Sequence, residues 1–131
     1  MEKDRCVFII DDNSSARNGI ASLLRAAGYA VCDFASAGEF LEKINPNISG
    51  CLLIDISMPG LLEDELVMEL KKCNIELPII VLTGDDNSET RRRANNINAV
   101  GFFRKPVDGI ALLDALEWTL RKSLNRDNTR N

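Results

Sequence analysis

The chain has 131 residues, of which 45% are hydrophobic and 27% charged; this indicates one globular domain and excludes a disordered or fibrous chain. The net charge of −4 argues against broad binding to phosphate backbones, so we expect no direct nucleic-acid binding. The longest apolar runs are far shorter than the roughly 18 residues that cross a membrane, and residues 1–5 lack a signal-peptide pattern. We therefore expect a cytoplasmic protein with no membrane partner.

Five short β-type runs alternate with helical patterns along the chain. The strands are predicted at residues 6–10, 30–34, 51–55, 79–83 and 100–103. The first, third and fourth are almost continuously apolar, as in parallel strands that helices cover on both faces. Alternating strands and helices with right-handed crossovers predict an α/β fold, a doubly wound five-stranded parallel sheet.

Helix signals lie between and after these strands, with capping residues at the start and Gly, Asn or Pro at the end. The predicted helices begin near residue 13, at residue 36, after Pro59-Gly60, near residue 87 and after Pro106. The fourth helix has few apolar side chains, so we predict that it is the least stable element and that Asn98 closes it in the left-handed conformation. The chain turns polar after about Leu124, which divides it into a domain, residues 1–124, and a polar tail or start of a linker, residues 125–131.

The residue types also restrict the chemistry that this chain can perform. There is no histidine, which excludes Ser-His-Asp catalysis, His-ligated metals and a role as a phosphohistidine carrier. The four cysteines, Cys6, Cys32, Cys51 and Cys73, form no C-x-x-C pair, so we interpret them as reduced thiols packed as small apolar residues. Any chemistry must therefore use carboxylates, hydroxyls and lysine.

Polar side chains cluster at the carboxyl ends of four predicted strands: Asp11 and Asp12, Asp55, Thr83 and Lys105. A single Asp at such a position is more often a turn former, but the functional crevice of an open parallel sheet lies at this edge. Three crowded carboxylates need a cation, and oxygen donors without His or Cys suit Mg²⁺ or Mn²⁺. One carboxylate is then left to attack a phosphoryl group, while the lysine and the hydroxyl bind its oxygens.

These residues resemble the receiver domains of two-component response regulators, which share the fold of the chemotaxis regulator CheY. The resemblance covers about residues 5–124 and rests on Ile10-Asp11-Asp12, on Asp55 with Met58-Pro59-Gly60, on Thr83-Gly84 and on residues 102–106. Residues 36–41 and 99–106 are most similar to FixJ-type receivers, which usually precede a helix-turn-helix output domain. The resemblance implies a (βα)5 flavodoxin/CheY-like fold with strand order 2-1-3-4-5.

The resemblance also implies a role for each site residue. Asp55 would be the phospho-acceptor and Lys105 the phosphoryl-binding lysine, while Thr83 and Phe102 would be the switch hydroxyl and switch aromatic. The expected metal ligands are Asp11, Asp12, Asp55 and the backbone carbonyl of Ser57, and the bond before Pro106 is expected to be cis. Without the motif, Phe102 would be read as a core aromatic and Lys105 as a solvated surface lysine.

The implied function is a phosphoryl-accepting signalling switch. A sensor histidine kinase would supply the phosphoryl group to Asp55, and the phosphorylated state would change binding of an output domain or protein through the face of the fourth helix, fifth strand and fifth helix. Such a domain catalyses only its own phosphoryl transfer and dephosphorylation, so we do not expect an enzyme. The resemblance is compatible with the receiver fragment of a transcription regulator and allows a phosphorylation-dependent homodimer.

Three alternatives are compatible with parts of the pattern. A haloacid-dehalogenase-type phosphatase needs a second Asp two positions after its nucleophile, where Ser57 stands. A flavodoxin-like cofactor domain needs a phosphate-binding loop after the first strand, where residues 11–13 would repel phosphate. A degenerate receiver that acts as a phosphorylation-independent protein-interaction module keeps the fold without a working site, and failure to bind Mg²⁺ would favour it.

Three features depart from the family pattern, one of them Asn98, which replaces a common glycine. Glu63 stands where a glycine is common in the loop after the acceptor, so this loop is expected to take a different path or the third helix to start earlier. The fourth helix is polar and basic where relatives are usually Ala-rich, and residues 91–93 are three consecutive arginines. Such a run is ordinarily a solvated helix face, with docking of a partner as the functional alternative.

Overall fold

The computed structural model of the chain describes residues 4–58 and 63–129, with side chains described for residues 6–58 and 63–122. The Pro59-Gly60 turn that the sequence predicts before the third helix lies outside these residues. The described strands are β1 Asp4–Ile10, β2 Val31–Phe34, β3 Ile48–Asp55, β4 Ile79–Thr83 and β5 Gly101–Arg104. The described helices are α1 Ser14–Ala26, α2 Ala37–Lys43, α3 Glu63–Lys72, α4 Ser88–Asn96 and α5 Gly109–Thr129.

The five strands form one parallel sheet in the order β2-β1-β3-β4-β5. This confirms the predicted α/β fold and its strand order. The central strand β3 is buried on both faces: Leu52 and Ile54 belong to one core cluster, and Cys51 and Leu53 belong to the other. Because β3 is fixed from both sides, the residue at its end, Asp55, has a rigid backbone support.

Local sequence signals set the ends of several helices. Side chains of Asn13, Ser36 and Asn87 accept a backbone N–H at the start of α1, α2 and α4. Gly28 after α1 has φ of 96° and Asn98 after α4 has φ of 57°, both in the left-handed region that ends helices. The predicted left-handed conformation of Asn98 is confirmed.

Helix α4 packs with few apolar side chains, as its sequence indicates. Of its nine residues, Thr90 and Ala94 are buried. Arg91 and Arg92 are exposed, whereas Arg93 is partly buried and contacts α3. The interpretation of residues 91–93 as a uniformly solvated face is therefore wrong for one of the three arginines. The low stability of α4 stays a prediction.

Helix α5 is longer than the sequence pattern predicts. Its backbone continues to Thr129, so residues 125–129, expected to be frayed or part of a linker, are helical. The sequence contains no glycine or proline after Gly109, and an uninterrupted run of this kind extends a helix that packing has already nucleated. The division of the chain near residue 124 stays a prediction. None of the described helices is both long and apolar enough to span a membrane.

Candidate functional site

The sheet brings the predicted acidic residues together at its carboxyl edge. Asp11 follows β1 and Asp55 ends β3, and these two strands are paired with Ile10 opposite Ile54. Carboxylate oxygens of Asp11, Asp12 and Asp55 all lie within 4.8 Å of one another. The convergence of three carboxylates from two adjacent strands is therefore present in the structure, as predicted from their positions at strand ends.

Lys105 joins two of these carboxylates. Its ammonium Nζ donates hydrogen bonds to Asp11 Oδ2 at 2.6 Å and to Asp55 Oδ2 at 2.8 Å. Burial acts to lower the pKa of Lys105, but its two carboxylate partners outweigh this effect and the pKa is raised. Burial likewise acts to raise the pKa of Asp55, but hydrogen bonds from Lys105 and Ser57 outweigh it and the pKa is lowered. Both groups are therefore held in their charged forms.

The two neighbouring aspartates after β1 have different surroundings. Asp11 is fully buried, and its Oδ1 accepts the backbone N–H of Asn13 at 3.0 Å. Its backbone carbonyl accepts a 2.7 Å hydrogen bond from Arg17, whose side chain also pairs with Asp33 on β2 at 3.1 Å. Asp12 is exposed. Asp11 is thus the fixed, inner carboxylate, and Asp12 is the one that solvent reaches.

Each carboxylate oxygen of Asp55 has its own partner. Oδ2 accepts from Lys105, and Oδ1 accepts the backbone N–H of Ser57 at 2.8 Å and also its hydroxyl. These contacts fix the plane of the carboxylate, and Asp55 is buried, with 5% of its surface exposed. Such a group is charged and oriented, as an attacking carboxylate has to be.

The switch pair predicted from the sequence lies on the two strands at the β5 side of the sheet. Thr83 is fully buried at the end of β4, and its hydroxyl donates to the Asp85 carbonyl at 2.9 Å and accepts the Asp85 N–H at 3.0 Å. Phe102 on β5 is partly buried, opposite Val81, and the Arg91 guanidinium lies 4.9 Å from its ring centroid. The hydroxyl is therefore bonded to the loop after β4, and the ring is packed at the surface beside α4.

A backbone hydrogen bond connects the residue after β5 with the end of β4. The N–H of Lys105 donates to the carbonyl of Thr83 at 2.7 Å, and the Lys105–Pro106 peptide bond is cis, the geometry that the resemblance implied. The backbone hydrogen bond holds Lys105 at the carboxyl edge of the sheet, where its side chain contacts the acidic cluster. The role of the Ser57 carbonyl as a metal ligand stays a prediction.

One interaction between α3 and α4 was not predicted from the sequence. The guanidinium of Arg93 on α4 donates two hydrogen bonds to the carboxylate of Glu63 at the start of α3, at 2.7 and 2.8 Å. Glu63 departs from the family pattern, and Arg93 belongs to an unusually basic helix. These two unusual features were the signal in the sequence that could have pointed to the pair. Only the fold shows that the two residues, 30 positions apart, are in contact.

We expect Glu63→Gln to lower the free energy of unfolding by about 1 to 2 kcal/mol at neutral pH, because the partly buried guanidinium loses its charged acceptor. The hydrogen bonds from Arg93 lower the pKa of Glu63 below its ordinary value of 4.5. The stabilisation that these hydrogen bonds provide is therefore complete when the pH is above 4.5, the ordinary pKa of Glu63. It is lost as the pH falls through the lowered pKa of the folded state. Urea unfolding at several pH values measures both effects.

Glu89→Gln is the matched control for this experiment. Glu89 pairs with Arg92 on the same helix at 3.8 Å, but both side chains are at least 70% exposed, so we expect almost no change in stability. Equal effects of the two substitutions at neutral pH would contradict the special contribution of the Glu63–Arg93 pair.

The donor set fits a small, hard divalent cation. Carboxylate oxygens of Asp11, Asp12 and Asp55 face one another, and among the described residues this cluster contains neither histidine nor cysteine. Oxygen ligands of this kind suit Mg²⁺ or Mn²⁺. Lys105 supplies one positive charge against three carboxylates, so the cluster retains negative charge with which to attract a cation.

A parallel β2-β1-β3-β4-β5 sheet with an acidic cluster and a lysine at its carboxyl edge is the arrangement of a signalling receiver domain. Residues 7–117 match the family described as the response regulator receiver domain. The chain belongs to this family, which confirms the resemblance found in the sequence.

Three similar proteins place the chain more closely within the family. It is 37% identical to Nodulation protein W of Bradyrhizobium diazoefficiens over 84% of this chain and 48% of that protein. It is 34% identical to the transcriptional regulatory protein FixJ of Azorhizobium caulinodans, over 89% and 56%. The solved structure of the response regulator StyR superposes with a TM-score of 0.83 at 37% identity, over 97% and 64% of the two chains. The chain thus spans about half the length of these two curated relatives.

Proposed function

We propose that this chain is a phosphoryl-accepting switch in which Asp55 takes a phosphoryl group from a sensor histidine kinase. The observation that carries the proposal is the contact of one ammonium group, that of Lys105, with both Asp11 and Asp55. This arrangement puts a cation beside the attacking carboxylate, where the negative charge of an incoming phosphoryl group has to be stabilised.

In the transfer, an oxygen of Asp55 attacks phosphorus in line, an acyl phosphate O–P bond forms, and the P–N bond to the imidazole of the kinase breaks. The imidazole nitrogen keeps the electron pair and takes up a proton. Lys105 pairs with a phosphoryl oxygen in exchange for its contact with Asp55. A Mg²⁺ ion held by Asp11, Asp12, Asp55 and the Ser57 carbonyl would supply further positive charge to the phosphoryl oxygens.

The phosphoryl group would then bias a conformational equilibrium through residues next to the site. The Thr83 hydroxyl can exchange its partner, Asp85, for a phosphoryl oxygen, and Phe102 can move into the space beside it. This movement would alter the face formed by α4, β5 and α5 and hence its binding of an output domain or a second copy of the chain. Few buried side chains on α4 oppose such a movement.

The wider role follows from the same family membership. We propose that the chain is the receiver part of a cytoplasmic transcription regulator, because similarity extends over about half of relatives such as the transcriptional regulatory protein FixJ. In this role it is not an enzyme acting on other substrates, and it catalyses only its own phosphorylation and dephosphorylation. DNA binding would belong to an output domain outside the family match at residues 7–117.

Intact-mass spectrometry after incubation with acetyl phosphate and Mg²⁺ tests the proposal. We expect one added phosphoryl group that requires both Mg²⁺ and Asp55, and none in Asp55→Asn, which keeps the shape of the side chain. An adduct that persists in this variant would overturn the assignment of the acceptor. Absence of both an adduct and Mg²⁺ binding in the native chain would favour the phosphorylation-independent interaction module.

A further inference from the structure

Two cysteines from neighbouring strands lie in contact and are not part of the acidic cluster. The Sγ atoms of Cys6 on β1 and Cys32 on β2 are 3.2 Å apart. Phe8 lies opposite Cys32 in the strand pairing, and Cys6 is two residues before Phe8, on the same face of β1. Both thiols therefore lie against the same core cluster, although their residues are 26 positions apart in the sequence.

The surroundings of this pair differ from those of the two other cysteines. Cys51 is fully buried, and burial raises the pKa of its thiol to about 12, so it forms almost no thiolate at neutral pH. Cys73 is partly buried on the chain after α3, and it belongs to no contacting pair among the sulfur atoms that the structure describes. Cys6 and Cys32 are each partly exposed, so a small reagent can reach them.

Formation of a disulfide needs a small movement of one strand, and β2, which carries Cys32, is suited to it. A disulfide bond requires the two sulfurs to approach from 3.2 Å to about 2.05 Å. β2 has four residues and lies at the edge of the described sheet, where β1 is its one neighbouring strand. An edge strand of this length can shift by the remaining distance more readily than a central strand can.

We propose that Cys6 and Cys32 form a reversible disulfide when the chain meets a low-molecular-weight disulfide such as oxidised glutathione. One cysteine thiolate attacks a sulfur of the oxidant and releases one glutathione thiol. The second cysteine thiolate then attacks the protein sulfur of the mixed disulfide and releases the other. The two cysteines lose two electrons and two protons, and one glutathione disulfide becomes two glutathione molecules, so the exchange is balanced.

A chain of hydrogen bonds connects β2, the strand that carries Cys32, with the acidic cluster. The effect that oxidation has on that cluster rests on the proposed function. Asp33, next to Cys32 on β2, accepts a 3.1 Å hydrogen bond from Arg17. The same guanidinium donates at 2.7 Å to the backbone carbonyl of Asp11. A shift of β2 toward β1 therefore acts through Arg17 on the backbone of Asp11, a predicted Mg²⁺ ligand, and oxidation changes the Mg²⁺ affinity of the site.

The test is intact-mass spectrometry after treatment with oxidised glutathione, followed by alkylation and tryptic peptide mapping. We expect a product lighter by two hydrogen atoms, a linked pair of peptides containing Cys6 and Cys32, and full reversal by dithiothreitol. Cys73→Ser serves as the control and should give the same linkage. Cys6→Ser and Cys32→Ser should each stop at a mixed glutathione disulfide. Absence of the linked peptides, or a linkage through Cys73, would overturn the disulfide proposal.

Calorimetric titration with Mg²⁺ tests the second part on the purified reduced and oxidised forms. We expect the two dissociation constants to differ by about fivefold, the low end of ordinary coupling between sites, and to become equal in Arg17→Met. Equal affinities in the native chain would overturn the link to Asp11. Failure of the reduced form to bind Mg²⁺ would overturn the metal assignment of the proposed function, while the peptide map would still decide on the disulfide.

Discussion

Lys105→Met should slow phosphorylation of Asp55 by about 10² to 10³-fold, the usual loss when one group that stabilises developing negative charge is removed. Mg²⁺ binding should become tighter in the same variant. The ammonium lies 2.6 Å from Asp11 and 2.8 Å from Asp55, so it competes with a metal ion for the same carboxylates. The rate of adduct formation from acetyl phosphate at saturating Mg²⁺ and calorimetric Mg²⁺ titration measure the two effects separately.

Lys72→Met is the matched control, because Lys72 is 73% exposed and makes a 3.5 Å pair with Glu69 on α3. We expect neither phosphorylation nor Mg²⁺ binding to change in it. A native phosphorylation rate in Lys105→Met would contradict the role given to this lysine. Loss of Mg²⁺ binding together with phosphorylation would instead mean that the ammonium holds the carboxylates in place.

The second large effect is expected at Gly50, inside β3. Its φ is 129°, and a Cβ atom built there would lie 1.9 Å from the carbonyl oxygen of Cys6 on β1. Cys6 and Gly50 face each other in the β1–β3 pairing, so relief of this clash requires the two central strands to separate. We expect Gly50→Ala to destabilise the chain by about 4 kcal/mol, as the sum of steric overlap and an unfavourable backbone conformation. Denaturant unfolding followed by circular dichroism measures this change.

Gly19→Ala makes the same chemical change where the structure tolerates it. Gly19 lies within α1, and a Cβ atom there meets nothing within 4 Å. Because alanine has the higher helix propensity, we expect a gain of about 0.5 to 1 kcal/mol. A loss at Gly19 comparable to that at Gly50 would contradict the steric account.

Much of the fold followed from local patterns in the sequence. Continuous apolar runs marked β3 and β4 as buried, and polar caps such as Ser36 marked helix starts, because these signals act over a few residues. The convergence of Asp11 and Asp55 was also predictable, since parallel strands bring their carboxyl ends to one edge. The extension of α5 to Thr129 was missed because a polar sequence without helix breakers carries no apolar period that distinguishes a helix from a tail.

What the sequence could not provide is the partner of each polar group. The Glu63–Arg93 pair and the Cys6–Cys32 contact join residues that are distant along the chain, and no local pattern encodes such distances. The difference between Asp11 and Asp12 is also unreadable in the sequence. Both are aspartates after the same strand, yet only the backbone direction at the end of β1 decides that the first is buried and the second exposed.

The mode of attachment of α4 has a further consequence. Two of its arginines hold it largely by charge: Arg91 binds Asp86 and lies over the Phe102 ring, and Arg93 binds Glu63. Dissolved ions screen such attractions, most strongly for the exposed Arg91 contact, whereas they leave apolar packing almost unaffected. The freedom of α4 to move should therefore rise with ionic strength while the sheet stays unchanged. Salt concentration should thus shift the conformational equilibrium of α4, which is the equilibrium that phosphorylation of Asp55 would also shift.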